Sequence, residues 1–173
     1  GEGLGINLAS GPKYVAENEK ELNMIFHFDH LTIDFGPDGK YDPVPYNFIK
    51  FKEIFTQWDK VLENRGWNSI FLGNHDFSRI VSRFGNDKKY REASAKLLIT
   101  LLMTLRGTPY IYQGDEIGMT NISHPSTDDY NDVESLNAWE AAKKNGANMA
   151  SYHAVMAHGA SGWSTTHEEN TAT

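Results

Sequence analysis

The sequence predicts an α/β protein built from parallel βα units whose strands open onto one rim. Three observations predict it. Short apolar runs alternate with longer segments of helical period, in the order loop, β, α, β, α, β, α, α along 173 residues. Each run exits into acidic, Gly-rich or His-containing residues, and the C-terminal ends of parallel strands are where such folds carry polar function. Right-handed crossovers bring those exits to one side, so four of them together read as the mouth of a barrel.

In chain order, Gly1-Glu2-Gly3-Leu4-Gly5 reads as a loop, with three glycines around a single carboxylate. The loop continues to about Lys20. Leu22 to Phe28 reads as a strand that exits at Asp29-His30. Gly36-Pro37-Asp38-Gly39 marks a turn. From about Tyr46 to Asn64, Phe48, Phe51, Ile54, Phe55, Trp58, Val61 and Leu62 recur with the helical period, and Gly66 is placed to stop the helix.

Ile70-Phe71-Leu72 is the next strand, and it ends abruptly in Gly73-Asn74-His75-Asp76. A helix over about Asp87 to Arg106 follows, with Ala93, Leu97, Leu98, Leu101, Leu102 and Leu105 as its expected buried stripe and Gly107 at its end. Thr108 to Tyr112 is the last strand, exiting at Gln113-Gly114-Asp115-Glu116. A loop with Pro125 leads to a helix over about Asp129 to Lys144 and another over Asn148 to His158. Ala160 to Thr173 is polar and aperiodic, as in a loop or disordered tail.

Composition removes several function classes. A hydrophobic content of 39% supports one domain with a real core. The net charge of −7 lacks the basic face that nucleic-acid binding needs. No window approaches a transmembrane span of roughly 18 apolar residues. The absence of cysteine excludes disulfides and thiolate chemistry; it suits a reducing, cytoplasmic setting. No signal peptide is visible at Gly1, although the chain opens without Met. There is no Walker loop, GxSxG elbow or GxGxxG, and the seven histidines form no HExxH pair. No cofactor and no catalytic metal are expected.

Glu2, Asp29, Asp76, Asp115 and Glu116 at successive exits, with His75 beside them, suit acetal cleavage at a sugar. That reaction needs one carboxyl group holding a proton for the leaving oxygen and another ionised near the oxocarbenium-like centre. A His can bind a ring hydroxyl, and aromatics such as Phe77 and Phe26 can face the sugar. For Asp115 and Glu116, helix capping and solvation is the favoured reading. Asn-His-Asp alone could also be a plain strand exit.

The stretch Trp67-Asn68-Ser69-Ile70-Phe71-Leu72-Gly73-Asn74-His75-Asp76-Phe77-Ser78-Arg79-Ile80-Val81-Ser82-Arg83-Phe84-Gly85 resembles the fourth conserved region of the α-amylase family of glycoside hydrolases, in its α-glucosidase and oligo-1,6-glucosidase branch. Gly107 to Met119 resembles that branch's last barrel strand, Phe26-His27-Phe28-Asp29-His30 its sixth, and Gly1-Glu2 the exit of its fifth. The resemblance implies a partial TIM (β/α)8 barrel, from the exit of strand 5 to strand 8. Residues 1–159 would be the C-terminal half of a catalytic barrel, and 160–173 an irregular or non-native tail. It implies that Glu2 is the general acid/base and Asp76 the transition-state carboxylate. His75 would bind sugar hydroxyls, and Arg79 and Phe77 would be further substrate contacts. The substrate class would be α-linked oligosaccharides.

Two features depart from the family. Its nucleophilic Asp sits at the exit of the fourth strand, which would lie before Gly1. Ala160 to Thr173 does not match the family's Asp-Asn-Ala-Arg-Thr-Pro-type segment. Besides a retaining α-glucosidase, the resemblance admits a sucrose isomerase or transglucosidase. It also admits a non-catalytic relative of the amino-acid-transporter heavy-chain kind, which would be free to lose Glu2 and Asp76.

Overall fold

The computed structural model of the protein describes residues 1–122, 124, 126, 129, 130, 132–146 and 156. Its elements are β1 (Glu2–Gly3), α1 (Gly11–Val15), β2 (Phe26–His27), β3 (Phe35–Gly36), β4 (Gly39–Pro43), α2 (Phe48–Leu62), β5 (Ser69–Ile70), α3 (Ile80–Phe84), α4 (Arg91–Thr104), β6 (Thr108–Pro109) and α5 (Val133–Lys144). Single 3-10 turns follow β2 at Asp29–Leu31 and precede α5 at Asp115–Ile117.

Two parallel ladders carry the architecture. β1 pairs with β2, Glu2 opposite Phe26, and β5 pairs with β6, Ser69 opposite Thr108. β2 runs beside β5, and aromatic side chains fill the seam. The Phe26 ring meets Phe71 edge-on at 5.0 Å and Tyr110 at 4.7 Å, and Phe28 meets Phe71 at 5.6 Å. Further along both strands, Phe28 still faces Phe77 at 6.3 Å. The two ladders therefore advance together, and the exits of all four strands share one end.

Several elements are shorter than the sequence implies. Of the apolar runs, 70–72 is buried throughout, 22–28 only from Ile25 on, and 108–112 is largely open, with Tyr110 and Ile111 exposed; ladder pairing covers only two residues of each strand. The segment 1–5, expected as a loop, contains β1. The segment to Lys20 contains the short helix α1, started by Pro12. The expected turn at 36–39 joins β3 to β4 as an antiparallel hairpin. α3 was not expected at all. The expected helix over 148–158, Met156 apart, Pro125 itself and the tail 160–173 lie outside the described residues.

α2 follows its sequence pattern closely. Asn47 caps it, its side chain accepting from the N–H groups of Ile49 and Lys50. Phe51, Ile54, Phe55, Trp58 and Leu62 are buried, whereas Phe48 at the first turn is exposed. α4 departs from its pattern. Only Leu98 and Leu102 of the expected stripe are buried, Leu101 and Leu105 pack at the margin, and Leu97 is 69% exposed. The reason is compositional: leucines at 97, 98, 101, 102 and 105, with Ile99 and Met103, run round most of the helix, and one sheet contact can cover only one face.

The main core joins α2, β5, α3 and α4 through Phe51, Phe55, Ile70, Leu72, Ile80, Val81, Phe84, Leu98 and Leu102. A second cluster, Val15, Ile25, Ile54, Trp58 and Leu62, locks α1 and β2 against α2. α5 is tied to the hairpin by Lys40 Nζ on Glu134 Oε2 at 2.6 Å and by Tyr41 Oη with Ser135 Oγ at 2.9 Å. Burial raises the Tyr41 phenol above its usual range, so it remains a neutral hydrogen-bonding group.

Candidate active site

The rim is built most completely at the exit of β5. Phe71, Leu72 and Gly73 are buried, and the next residues turn outward. The turn is made locally: Asn74 Oδ1 accepts the N–H of Asp76 at 2.9 Å, which is an Asx turn. It lifts His75 and Asp76 off the core, with side chains 66% and 53% exposed. His75 Nε2 lies 3.3 Å from Asp76 Oδ1, so the two groups present one polar surface. Gly73 is needed beneath them, because a Cβ there would stand 2.6 Å from Cγ2 of Ile80.

Past Asp76 the chain dives back. Phe77 is half-buried, facing Phe28 at 6.3 Å and Phe35 at 6.2 Å, with the Arg83 guanidinium 5.3 Å from its ring. Arg83 is itself buried in a two-point ion pair with Asp34, Nη2 to Oδ1 at 2.5 Å and Nε to Oδ2 at 3.1 Å, and it donates to Leu31 O at 2.8 Å. That pair anchors the chain after β2 to α3, so Phe77 has a rigid backing.

Arg79 is only 2% exposed. Expected as a substrate contact, it points its guanidinium inward in this chain. Nη1 donates to Gln113 O at 2.6 Å and lies 3.7 Å from Asp115 Oδ1, and the cation sits 5.0 Å from the Tyr112 ring. Asp115 is likewise buried, so it is neither solvated nor a helix cap as expected: the turn over 115–117 has no side-chain cap hydrogen bond. Burial pushes its carboxyl up to about 6; the Arg79 charge opposes this and the Glu116 charge adds to it. Gly114, at φ +92°, makes the turn that seats Asp115, and its N–H donates to Glu116 Oε2 at 2.8 Å.

Glu2 is exposed on β1, in register with Phe26. Its neighbour across the rim is the exit of β2, where Asp29 Oδ2 accepts the Trp58 indole N–H at 2.8 Å. Asp29 is thus engaged in packing, and Phe26 is taken up by Phe71 and Tyr110. Glu2, His75 and Asp76 are open, as are Gln113 and Glu116 at the β6 exit. Exposed carboxylates and an imidazole can exchange protons and bind hydroxyl groups. Among the described residues no group of three or more His, Asp and Glu is arranged to hold a metal ion, and no helix is long and apolar enough to cross a membrane.

Residues 1–167 match the family model of the alpha-amylase catalytic domain. An oligo-1,6-glucosidase of Parageobacillus thermoglucosidasius is 51% identical over 140 residues, 81% of this chain and 25% of that protein. The crystal structure of trehalose-6-phosphate hydrolase from Bacillus licheniformis superposes with a TM-score of 0.87 at 40% identity, over 92% of this chain and 29% of that one. A trehalulose synthase variant superposes with a TM-score of 0.83 at 38% identity, over 91% of this chain and 29% of its own. The chain spans about a quarter of the length of the relatives it matches.

Proposed function

Because the chain belongs to the alpha-amylase catalytic-domain family, glycoside hydrolase family 13, we propose that it supplies the C-terminal half of the catalytic barrel of a retaining α-glucosidase, one that removes terminal α-linked glucose from oligosaccharides. The observation that carries this reading is the outward-turned His75–Asp76 pair at the exit of β5, within a segment of family type.

In this reading Glu2 donates a proton to the glycosidic oxygen as the bond breaks. It then takes one from the water that completes the reaction. Asp76 stays ionised and stabilises the positive charge that spreads over the anomeric carbon and ring oxygen. His75 binds hydroxyls of the glucose being released and so holds the ring in place. Phe77 borders the pocket on its apolar side. The attacking carboxylate comes from the barrel half upstream of these residues. A retaining site needs it about 5 Å from the acid, across the scissile bond.

The likeness to a trehalulose synthase supports a second reading, in which the same site passes glucose to a sugar acceptor in place of water. The two differ in what occupies the acceptor side, not in the roles of Glu2 and Asp76. The presence of both carboxylates favours either enzyme over a non-catalytic heavy-chain-like relative.

The test is release of p-nitrophenol from its α-glucoside. The 173 residues alone should give no turnover, because losing a nucleophile costs several orders of magnitude. Joining the upstream barrel half should restore it. Robust turnover by the 173 residues alone, abolished by Asp76→Asn, would show that the roles are wrongly assigned.

A further inference from the structure

The loop that carries Asp76 is clamped at its far end by a buried cation. Arg79 lies three residues beyond Asp76 and places its guanidinium inside the β6 exit loop. The guanidinium meets the carbonyl of Gln113, the carboxylate of Asp115, the ring of Tyr112 and Met119 Sδ at 3.4 Å. The backbone joins in: Arg79 N–H donates to Asn121 Oδ1 at 2.7 Å, and Asn121 N–H donates to Ser82 Oγ at 2.9 Å. The near end of the loop is fixed where Gly73 abuts Ile80. Residues 74–79 are thereby held between two strand exits that are 34 residues apart in sequence at the Arg79–Gln113 contact.

A buried cation is costly to desolvate, and a surface loop does not require one for its stability. What a guanidinium offers here is breadth: Nη1 meets the Gln113 carbonyl and the Asp115 carboxylate while Nη2 reaches Met119 Sδ, so one planar group spans the loop from Gln113 to Met119. We propose that Arg79, oriented by Gln113 and Asp115, is a positioning residue that sets Asp76 and His75 against the sugar. Arg79 and Asp115 touch no substrate and act through Asp76. This inference rests on the glucosidase reading for its kinetic consequence.

The lock can be opened without a buried charge being stranded. If Arg79 is removed, Asp115 can take up a proton, since burial already pushes its carboxyl up to about 6. Arg79→Met in the complete barrel should therefore fold and lower kcat about 100-fold, the cost of roughly 1 Å of misplacement at a reacting centre. KM should move far less. Arg79→Lys and Asp115→Asn should each lower kcat about tenfold, because the lysine keeps a cation but loses the reach of Nη2 to Met119, and the asparagine leaves the Gln113 contact in place. Placed on top of Asp76→Asn, Arg79→Met should cost less than about twofold, because a residue acting through Asp76 has nothing left to position. A structural role alone would give the full loss in both backgrounds.

Amide hydrogen exchange over residues 74–77 provides a readout independent of activity, and Arg79→Met should accelerate it. Wild-type kcat in folded Arg79→Met, a fully multiplicative loss with Asp76→Asn, or unchanged exchange would each overturn the proposal. If Arg79→Met does not fold, Asp115→Asn is read in its place by the same criteria. If the complete barrel has no α-glucosidase activity, the functional reading fails, and exchange alone decides whether the lock exists.

Discussion

Glu2→Gln in the complete barrel should lower kcat/KM by about 10³-fold on an α-linked disaccharide and by much less on a p-nitrophenyl α-glucoside. A sugar leaving group needs a proton as it departs, whereas p-nitrophenolate leaves without one. Proton donation by a positioned side chain is worth roughly 10²- to 10⁴-fold, and only the first substrate can lose it. Asp76→Asn should behave differently. Its carboxylate faces charge that develops at the sugar whatever the leaving group, so both substrates should lose at least about 10³-fold alike. Steady-state kinetics of the two variants on the two substrates separate the roles. Equal losses on both substrates for Glu2→Gln would remove it from the acid position. The two carboxylates stand on different elements, Glu2 in β1 and Asp76 past the exit of β5, and both are exposed.

The second large effect concerns acid. His27 and His30 are both wholly buried, with ring centroids 5.3 Å apart. His27 lies flat on the Trp58 indole at 4.4 Å, and neither of its ring nitrogens has a hydrogen-bond partner among the described residues. Burial pulls the His27 imidazole down to about 4. It also pulls His30 well below the usual range, helped by the charges on His27 and Arg83 and opposed by the backbone at Phe71.

An unfolded chain binds these protons near 6.5, so between there and about 4 it holds more protons than the fold does. Stability is therefore full above 6.5 and drains away as pH falls; for His27 alone the loss is on the order of 3 kcal/mol. Asp115 acts in the opposite sense. Its carboxyl is raised from 3.8 to about 6, so the fold gains protons there and is steadied on acidification by a similar amount. Two histidines against one aspartate leave a net loss. Urea unfolding between pH 7 and 4 should show the midpoint falling below pH 6.5. His27→Phe, which keeps the stack on Trp58, should flatten that fall, and Asp115→Asn should steepen it. Parallel curves for wild type and His27→Phe would contradict this assignment.

Much of the site was legible because its signals are local. An apolar run that stops at Asn74-His75-Asp76 says where the strand ends and what it delivers, and the Asx turn needs only residues 74 and 76. α2 was legible because its burial follows one helical stripe. β1 was not legible, because Gly-Glu-Gly carries no apolar side chain and its extended form is imposed by pairing with Phe26 and His27. α3 is five residues long, too short for periodicity to register. The burial of Arg79, expected as a substrate contact, and of Arg83 cannot be read from a single sequence. Their partners, Gln113 and Asp115 for one and Asp34 for the other, are brought close only by the fold. The same holds for His27, whose Trp58 partner lies on the next helix.

The central claim is that Glu2, His75 and Asp76 converge on one glucose. Its most direct test is a crystal structure of the complete barrel carrying Glu2→Gln, with an α-linked glucose disaccharide bound. The account predicts His75 and Asp76 within hydrogen-bond distance, about 2.6 to 3.2 Å, of hydroxyls on the non-reducing glucose, with the side chain at position 2 at similar range from the glycosidic oxygen. A disaccharide bound away from the β5 exit, or position 2 lying too far from that oxygen for even one bridging water, would contradict it.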